Sequence, residues 1–239
     1  EEKPLVSIIM NCYNGDHFLR EAIESVYRQT YLNWEIIFWD NASIDNSANI
    51  AKSYDDRIKY YLAPNTTSLG EARNLALSKV SGEYVAFLDC DDLYLTGKLE
   101  RQIAVMHGSD YAMCYGSAII IDKNGKQVKK TKVKNKSGYL LGKLLLHYEI
   151  SMQSVMIRRS TLNNSFFNFD KTLTYSPDYD LFMKIACKNS IGVIHDYISK
   201  YRILDNSLSR QSLEVASKEI RHTLDFISKE YSGLRQIFF

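Results

Sequence analysis

The sequence predicts an α/β fold: a mostly parallel sheet flanked by helices, with a mixed second half. Three observations carry this. Through the first 106 residues, strand-length apolar runs alternate with helix-length amphipathic runs, as crossover connections require. Those apolar runs are near-continuous rather than alternating, as in strands covered on both faces. The chain has 239 residues, 45% hydrophobic and 24% charged, which suits one large domain with a core that needs no staples.

Residues 5–10 (LVSIIM) are the first buried strand. Asp16 is placed to cap a helix over 17–29, with Phe18, Leu19, Ala22, Ile23 and Val26 on one face. A second buried strand covers 34–39, a helix 47–54 and a strand 58–62. Ser68, with Glu71 three residues on, forms a capping box for the next helix. Residues 85–88 are another buried strand, and Thr96 caps a helix through Met106. Beyond it the pattern loosens. A long strand over 111–121 turns at Asn124-Gly125, a type I′ hairpin signal, with Val128 and Val133 on the return. Then come a helix over 138–148, a short strand over 154–157, a helix over 178–188, a strand over 191–203 and an amphipathic helix over 213–231.

Lys plus Arg is 30 and Asp plus Glu is 28, a net charge of +2, so no nucleic-acid partner is expected. Cys12, Cys90, Cys114 and Cys187 are far apart with no CxxC pair, which reads as reduced thiols rather than zinc ligands or disulfides. No apolar run approaches the ~20 residues of a membrane span, and no signal-peptide pattern is present. A cytoplasmic location is expected. The start at Glu1 rather than Met reads as a piece of a longer chain. GxG, GxxxxGK[ST], HExxH and GxSxG are all absent, and His17, His107, His147, His195 and His222 show no metal-ligand spacing.

Acids gather where the buried strands end. Asp40 closes the 34–39 strand, while Asp89 and Asp91 close the 85–88 strand with Asp92 beside them. In an open α/β sheet, ligands bind outside the carboxyl ends of the strands. Asp89 and Asp91 are two apart, so in extended chain they share a face. Paired carboxylates repel, and a hard divalent cation relieves that repulsion and in turn neutralises a diphosphate.

Four ordered segments, LVSIIMNCYN, EIIFWDNASIDNS, GEARNLAL and GEYVAFLDCDDLY, resemble glycosyltransferase family 2, whose fold is the Rossmann-like GT-A. Weaker matches are SPDYDLFMKIA and YRILDNSLS. The resemblance implies an inverting, metal-dependent hexosyltransferase of bacterial cell-envelope polysaccharide biosynthesis. It would move a sugar from UDP or dTDP to a hydroxyl of a glycan or lipid-linked glycan. It implies one GT-A domain over 1–210, with a nucleotide-binding half (1–95) and an acceptor half (96–210). A C-terminal helix over 211–239 would lead into further chain. Cys12, Tyr13 and Asn14 would line the base and ribose pocket, and Asp40 would accept from the ring N–H of uracil or thymine. Arg73 would reach the base or diphosphate, and Asp89, with Cys90 beside it, the ribose. Asp91, with Asp89 as second candidate, would hold Mn2+ or Mg2+. Asp178 would be the general base, with Asp180 as fallback; an acceptor hydroxyl is a poor nucleophile until a base takes its proton.

Three positions depart from the family pattern. Its Pro-Thr is Asn11-Cys12 here, the Glu before its base is Pro177, and its late His, which can ligate the metal, is Leu204. Leucine cannot ligate, which leaves Asp91, the diphosphate, and a neighbour such as Asp205 or His195. A rival reading is therefore a catalytically silent nucleotide-sugar-binding module. A nucleotidyltransferase is a third, although residues 11–16 lack its glycine-rich loop. The unmatched middle holds Lys123, Lys126, Lys129, Lys130, Lys132, Lys134 and Lys136 with no acid among them. These lysines are either a solvated hairpin or a patch for anionic lipid at the inner face of the membrane or a phosphate-bearing acceptor. The end of the chain, with Leu234, Ile237, Phe238 and Phe239, would pack on this domain or dock on another domain or a membrane.

Overall fold

Parallel pairing of the apolar runs builds the first half of the sheet. The computed structural model describes residues 3–163, 167–204 and 213–230. In chain order come β1 (Val6–Cys12), α1 (Asp16–Tyr27), β2 (Trp34–Asp40), α2 (Ser47–Lys52), β3 (Ile58–Leu62), α3 (Leu69–Leu77) and β4 (Tyr84–Phe87). β1 pairs in parallel with β2, from Val6 opposite Trp34 to Cys12 opposite Asp40, and with β4, from Val6 opposite Tyr84 to Ile9 opposite Phe87. β3 adds outside β2. This register brings the loops after β1, β2 and β4 to one edge, which becomes the floor of the cleft.

The second half is mixed. It comprises β5 (Leu93–Tyr94), α4 (Lys98–Met106), β6 (Met113–Ile121), β7 (Gln127–Thr131), α5 (Leu141–Leu146), β8 (Met156–Arg158), α6 (Arg159–Leu162), α7 (Pro177–Lys188), β9 (Ile191–Arg202) and α8 (Leu213–Glu230). The described strands form one sheet in the order β3-β2-β1-β4-β8-β6-β9-β5, with β7 branching from β6. β8 runs antiparallel to both β4 and β6, while β6 and β9 are parallel.

Strand alternation divides the core between the two faces. Ile9, Ile37, Val85 and Phe87 pack under α3, α5 and α7, whereas Ile8, Met10, Ile36, Phe38 and Ala86 pack under α1, α2 and α4. Each fully buried side chain of this size contributes about 1.5–3 kcal/mol.

Several local expectations change. Asp16 lies inside α1, and Gly15 sits at its N-cap without a side-chain bond. Asp16 is instead tied to the neighbouring loop, its N–H donating to Asp45 and its carboxylate accepting from Asn46 N–H. Thr96 does not cap α4, which starts after Gly97 at φ +79°. Ser68 does cap α3, accepting from Glu71 N–H. In the β6–β7 turn only Gly125 has positive φ (78°), so the turn is not type I′, which needs two such residues. Asp122 shapes the turn instead, its carboxylate accepting from the N–H of Asn124 and of Lys126. The helix over 138–148 shrinks to α5, β8 follows a 3-10 turn at Met152–Ser154, and β5 had no sequence signal. No helix among the described residues is long and apolar enough to cross a membrane.

Candidate active site

A cleft of about 1070 Å³ opens above the carboxyl ends of β1, β2 and β4, lined among others by Tyr13, Asn14, Arg73, Asp89, Asp91 and Asp178. Over the ends of β1 and β2 its wall is two loops sewn together. Asn14, held at φ 51°, donates its N–H to Ser43 and accepts from Ile44 N–H on its side chain. Gly15 N–H donates to Ser47. A Cβ on Gly15 would come within 3.0 Å of Cys12 Sγ and of Cys90 Cβ, so only glycine fits between the two strand ends without displacing them. Asn41 then fastens the next loop, donating to Thr67 O (2.9 Å) and accepting from Thr67 N–H (3.1 Å).

Two expected base contacts lie beneath this floor. Cys12 is 2% exposed and does not line the cleft; its thiol hydrogen-bonds Cys90, which holds it below the usual thiol range. Asp40 is fully buried, accepting from Tyr60 OH at 2.7 Å and Ser43 N–H at 2.8 Å. Asp40 therefore positions the loop; meeting a base would require Tyr60 to yield. Tyr13, at 58% exposure, offers an open ring instead.

The acids after β4 lie in a turn rather than on extended chain, so Asp89 and Asp91 do not share a strand face as the sequence spacing suggested. Asp92 N–H closes a turn onto Asp89 O. Burial, then the neighbouring Asp89 charge, push the Asp91 carboxyl up to about 6. Asp92 is buried and accepts from Arg202 N–H (2.8 Å). The Arg202 guanidinium donates to Asp91 O (2.8 Å) and to Glu21 (2.7 Å). Arg202 thus clamps the acidic turn, a role that no local pattern around Tyr201-Arg202 announces.

Arg73 is 4% exposed and bridges the cleft, its guanidinium 3.4 Å from Asp89. Its charge also acts on Asp178, in the first turn of α7, whose carboxyl burial raises and Arg73 partly restores. Asp180 lies elsewhere. It is fully buried, 2.6 Å from Lys184 Nζ and 2.9 Å from Thr223 of α8, outside the cleft. Residues two apart on a helix point about 200° apart, so only one of the pair can face the cleft. The sequence reading also passed over Asn41, Thr67, Gln153 and Tyr175 of the cleft wall.

For a divalent metal, Asp89 and Asp91 are suitable hard oxygen donors, and a cation would relieve the cost that burial first and the Asp89 charge second place on the ionised Asp91 carboxyl. Leu204 lines the cleft and adds no ligand. His195 is outside the cleft, its Nδ1 against Val133 O, and Asp205 lies outside the described residues. Among the described residues there is no cluster of three or more ligating side chains. This donor set fits an ion bound by one or two carboxylates together with a substrate's phosphates.

Residues 7–164 match glycosyl transferase family 2. The chain belongs to that family. A curated relative, the UDP-Glc:α-D-GlcNAc-diphosphoundecaprenol β-1,3-glucosyltransferase WfgD of Escherichia coli, is 35% identical over 229 residues, covering 93% of this chain and 87% of its own. An uncharacterised glycosyltransferase of Haemophilus influenzae is 32% identical, covering 89% and 85%. Among solved structures, S. aureus TarS 1–349 in complex with UDP-GlcNAc superposes with a TM-score of 0.78 at 21% identity, covering 94% of this chain and 66% of that one. The TarS complex with UDP gives 0.69 at 21% identity, covering 83% and 60%. These superpositions show the GT-A fold. The chain is a family 2 glycosyltransferase.

Proposed function

We propose that this glycosyltransferase moves a hexosyl group from UDP to a hydroxyl of a glycan or lipid-linked glycan, with inversion. The observation that carries this is Asp178, placed across Arg73 from Asp89 and Asp91 in one cleft. Tyr13 and Asn14 would take the base and ribose on the rigid two-loop floor, with Asp40 holding that floor from below. Asp89, positioned by Arg73, would bind the ribose. Asp91, with Asp89, would hold Mn2+ or Mg2+, which when bound neutralises the leaving diphosphate. Asp178 takes the acceptor proton as the acceptor oxygen bonds to the anomeric carbon and the bond to the diphosphate breaks. Burial that raises a carboxyl makes it a better proton acceptor near neutral pH. A single displacement with one base inverts the anomeric centre.

The donor class is supported by the names of the relatives: WfgD uses UDP-Glc, and the TarS structures hold UDP-GlcNAc and UDP. WfgD also acts on a lipid-linked diphosphate, which would place this protein in the cytoplasm, peripheral at the inner face of the membrane. A second reading, a silent donor-binding module, is favoured by Leu204 in the cleft and Pro177 before Asp178. Released UDP or dTDP, measured over a panel of UDP- and dTDP-sugars with manganese and mixed acceptors, separates them. Acceptor-dependent UDP release supports the transferase; UDP binding without release supports the silent module.

A further inference from the structure

A second cavity of about 220 Å³ adjoins the main cleft and shares Ser151 and Tyr201 with it. Gly116, Ala118 and Ile120 of β6 line it, where the pairing of β6 with β9 shifts register between Gly116 and Ala118. Tyr148 forms a wall; its ring meets Tyr179 at 4.8 Å, next to Asp178. The Tyr148 hydroxyl is buried with no hydrogen-bond partner among the described residues. A buried, unpaired hydroxyl calls for an explanation, and a polar ligand supplies one. Glu149 lines the same space and is pinned by Tyr115 OH and the N–H groups of Lys134 and Asn135.

The strand register extends this site outward. Thr131 lines the cavity opposite Ala118, and Lys129 is opposite Ile120, which in turn is opposite Tyr201. Lys129, Ile120 and Tyr201 therefore form one row on the cavity face. Lys129 is exposed, and no carboxylate pairs with it among the described residues. It stands about 7 Å along the strand from Thr131, the span of one sugar ring. Lys123, on the turn before β7, lines the main cleft.

We propose that this cavity is the acceptor subsite and that it takes a sugar ring bearing a phosphate, a glycosyl phosphate or diphosphate whose charge meets Lys129. The inference rests on the transferase reading above. Tyr148 and Tyr201 present the ring and Tyr148 OH engages a sugar hydroxyl, so that another hydroxyl reaches Asp178. Lys129 fixes the opposite end as a point charge. The phosphate's source is separable: a soluble glycosyl diphosphate and an anionic bilayer offer the same oxygens.

The test uses the full chain with its UDP-sugar and manganese. The acceptors are short-alkyl diphosphates of glucose, galactose and their N-acetylated forms, beside the matching alkyl glycosides without phosphate. At least one diphosphate should drive UDP release at a KM about ten- to a hundredfold below its uncharged counterpart, the discrimination expected of a charge-assisted contact. Lys129→Ala should collapse that ratio, and Lys136→Ala, outside the row, should keep it. Ala118→Phe should fill the cavity and abolish acceptor-dependent release, with UDP binding by calorimetry confirming that the variant is folded. Equal KM values for charged and uncharged acceptors, or an unchanged ratio in Lys129→Ala, would overturn the proposal. So would Lys129-dependent binding to phosphatidylglycerol vesicles with no discrimination among acceptors, since the lysine would then serve lipid headgroups. Failure of UDP to bind at all would instead sink the transferase reading.

Discussion

The two sides of the cleft are built differently. Over the ends of β1 and β2, beside β4 in a parallel sheet, four residues tie one loop to another: Asn14 to Ser43, Gly15 to Ser47, Asp16 to Asp45, Asn41 to Thr67. On the other side Tyr148 and Gln153 have buried polar atoms without partners among the described residues, as Asn11 does at the end of β1, and an exposed lysine hairpin branches from the sheet. A nucleoside diphosphate is a constant ligand, and a preorganised floor avoids the cost of ordering loops on binding. On the proposed reading, an acceptor docked on the other side would satisfy the Tyr148 hydroxyl.

The strongest way to break this contrast is at the residue joining the two sides. Asp178→Asn should cut turnover about 10²–10⁴-fold, the typical contribution of a general base, with UDP affinity kept; unchanged turnover in a UDP-release assay would remove Asp178 as the base. Its neighbour should behave oppositely. Asp180→Ala leaves Lys184 buried without its carboxylate, so stability should fall by roughly 3 kcal/mol. At a temperature where the variant is still folded, kcat should stay near wild type. A large kcat loss at full stability would return Asp180 to the chemistry.

A smaller effect tests the acidic turn. The Asp91 carboxyl is raised from 3.8 to about 6, so below about pH 4 it is protonated whether the chain is folded or unfolded and carries no penalty. As pH rises from 4 to 6 the folded state holds the extra proton, and stability falls; above 6 the full cost, at most about 3 kcal/mol, is present. Asp91→Asn should therefore melt higher than wild type at pH 8 without metal, with little difference at pH 4. Manganese should raise the wild-type melting temperature at pH 8 more than that of the variant. Equal melting curves would show that no repulsion is stored there. The smallest effect belongs to the loop after β2, where Ala42 sits at φ 63°. Glycine relieves that left-handed strain, so Ala42→Gly should stabilise by roughly 0.5–1 kcal/mol in urea denaturation.

Much of the nucleotide side was legible because its signals are local. The runs at β1, β2 and β4 are apolar on both faces, β3 fell where its pattern placed it, and Ser68 caps α3 as its spacing with Glu71 predicted. Turn and helix-start details were less legible. Asp16 and Thr96 carry cap chemistry, yet Gly15 and Gly97 hold the N-cap positions, because neighbouring loops and a left-handed turn decide where each helix begins. β5 is two residues long and exists only because β9 lies beside it.

The site divides in the same way. By itself the sequence determined that carboxylates end the parallel strands and that an acid pair opens α7, because strand and helix periods are local properties of the chain. Only the tertiary structure decided which of those acids line the cleft. Tyr60, twenty residues on, closes over Asp40. α8 brings Thr223 against Asp180, and Asp178 is left facing the cleft. Burial and charge pairing are set by what distant segments pack against a side chain, and no local pattern carries that information.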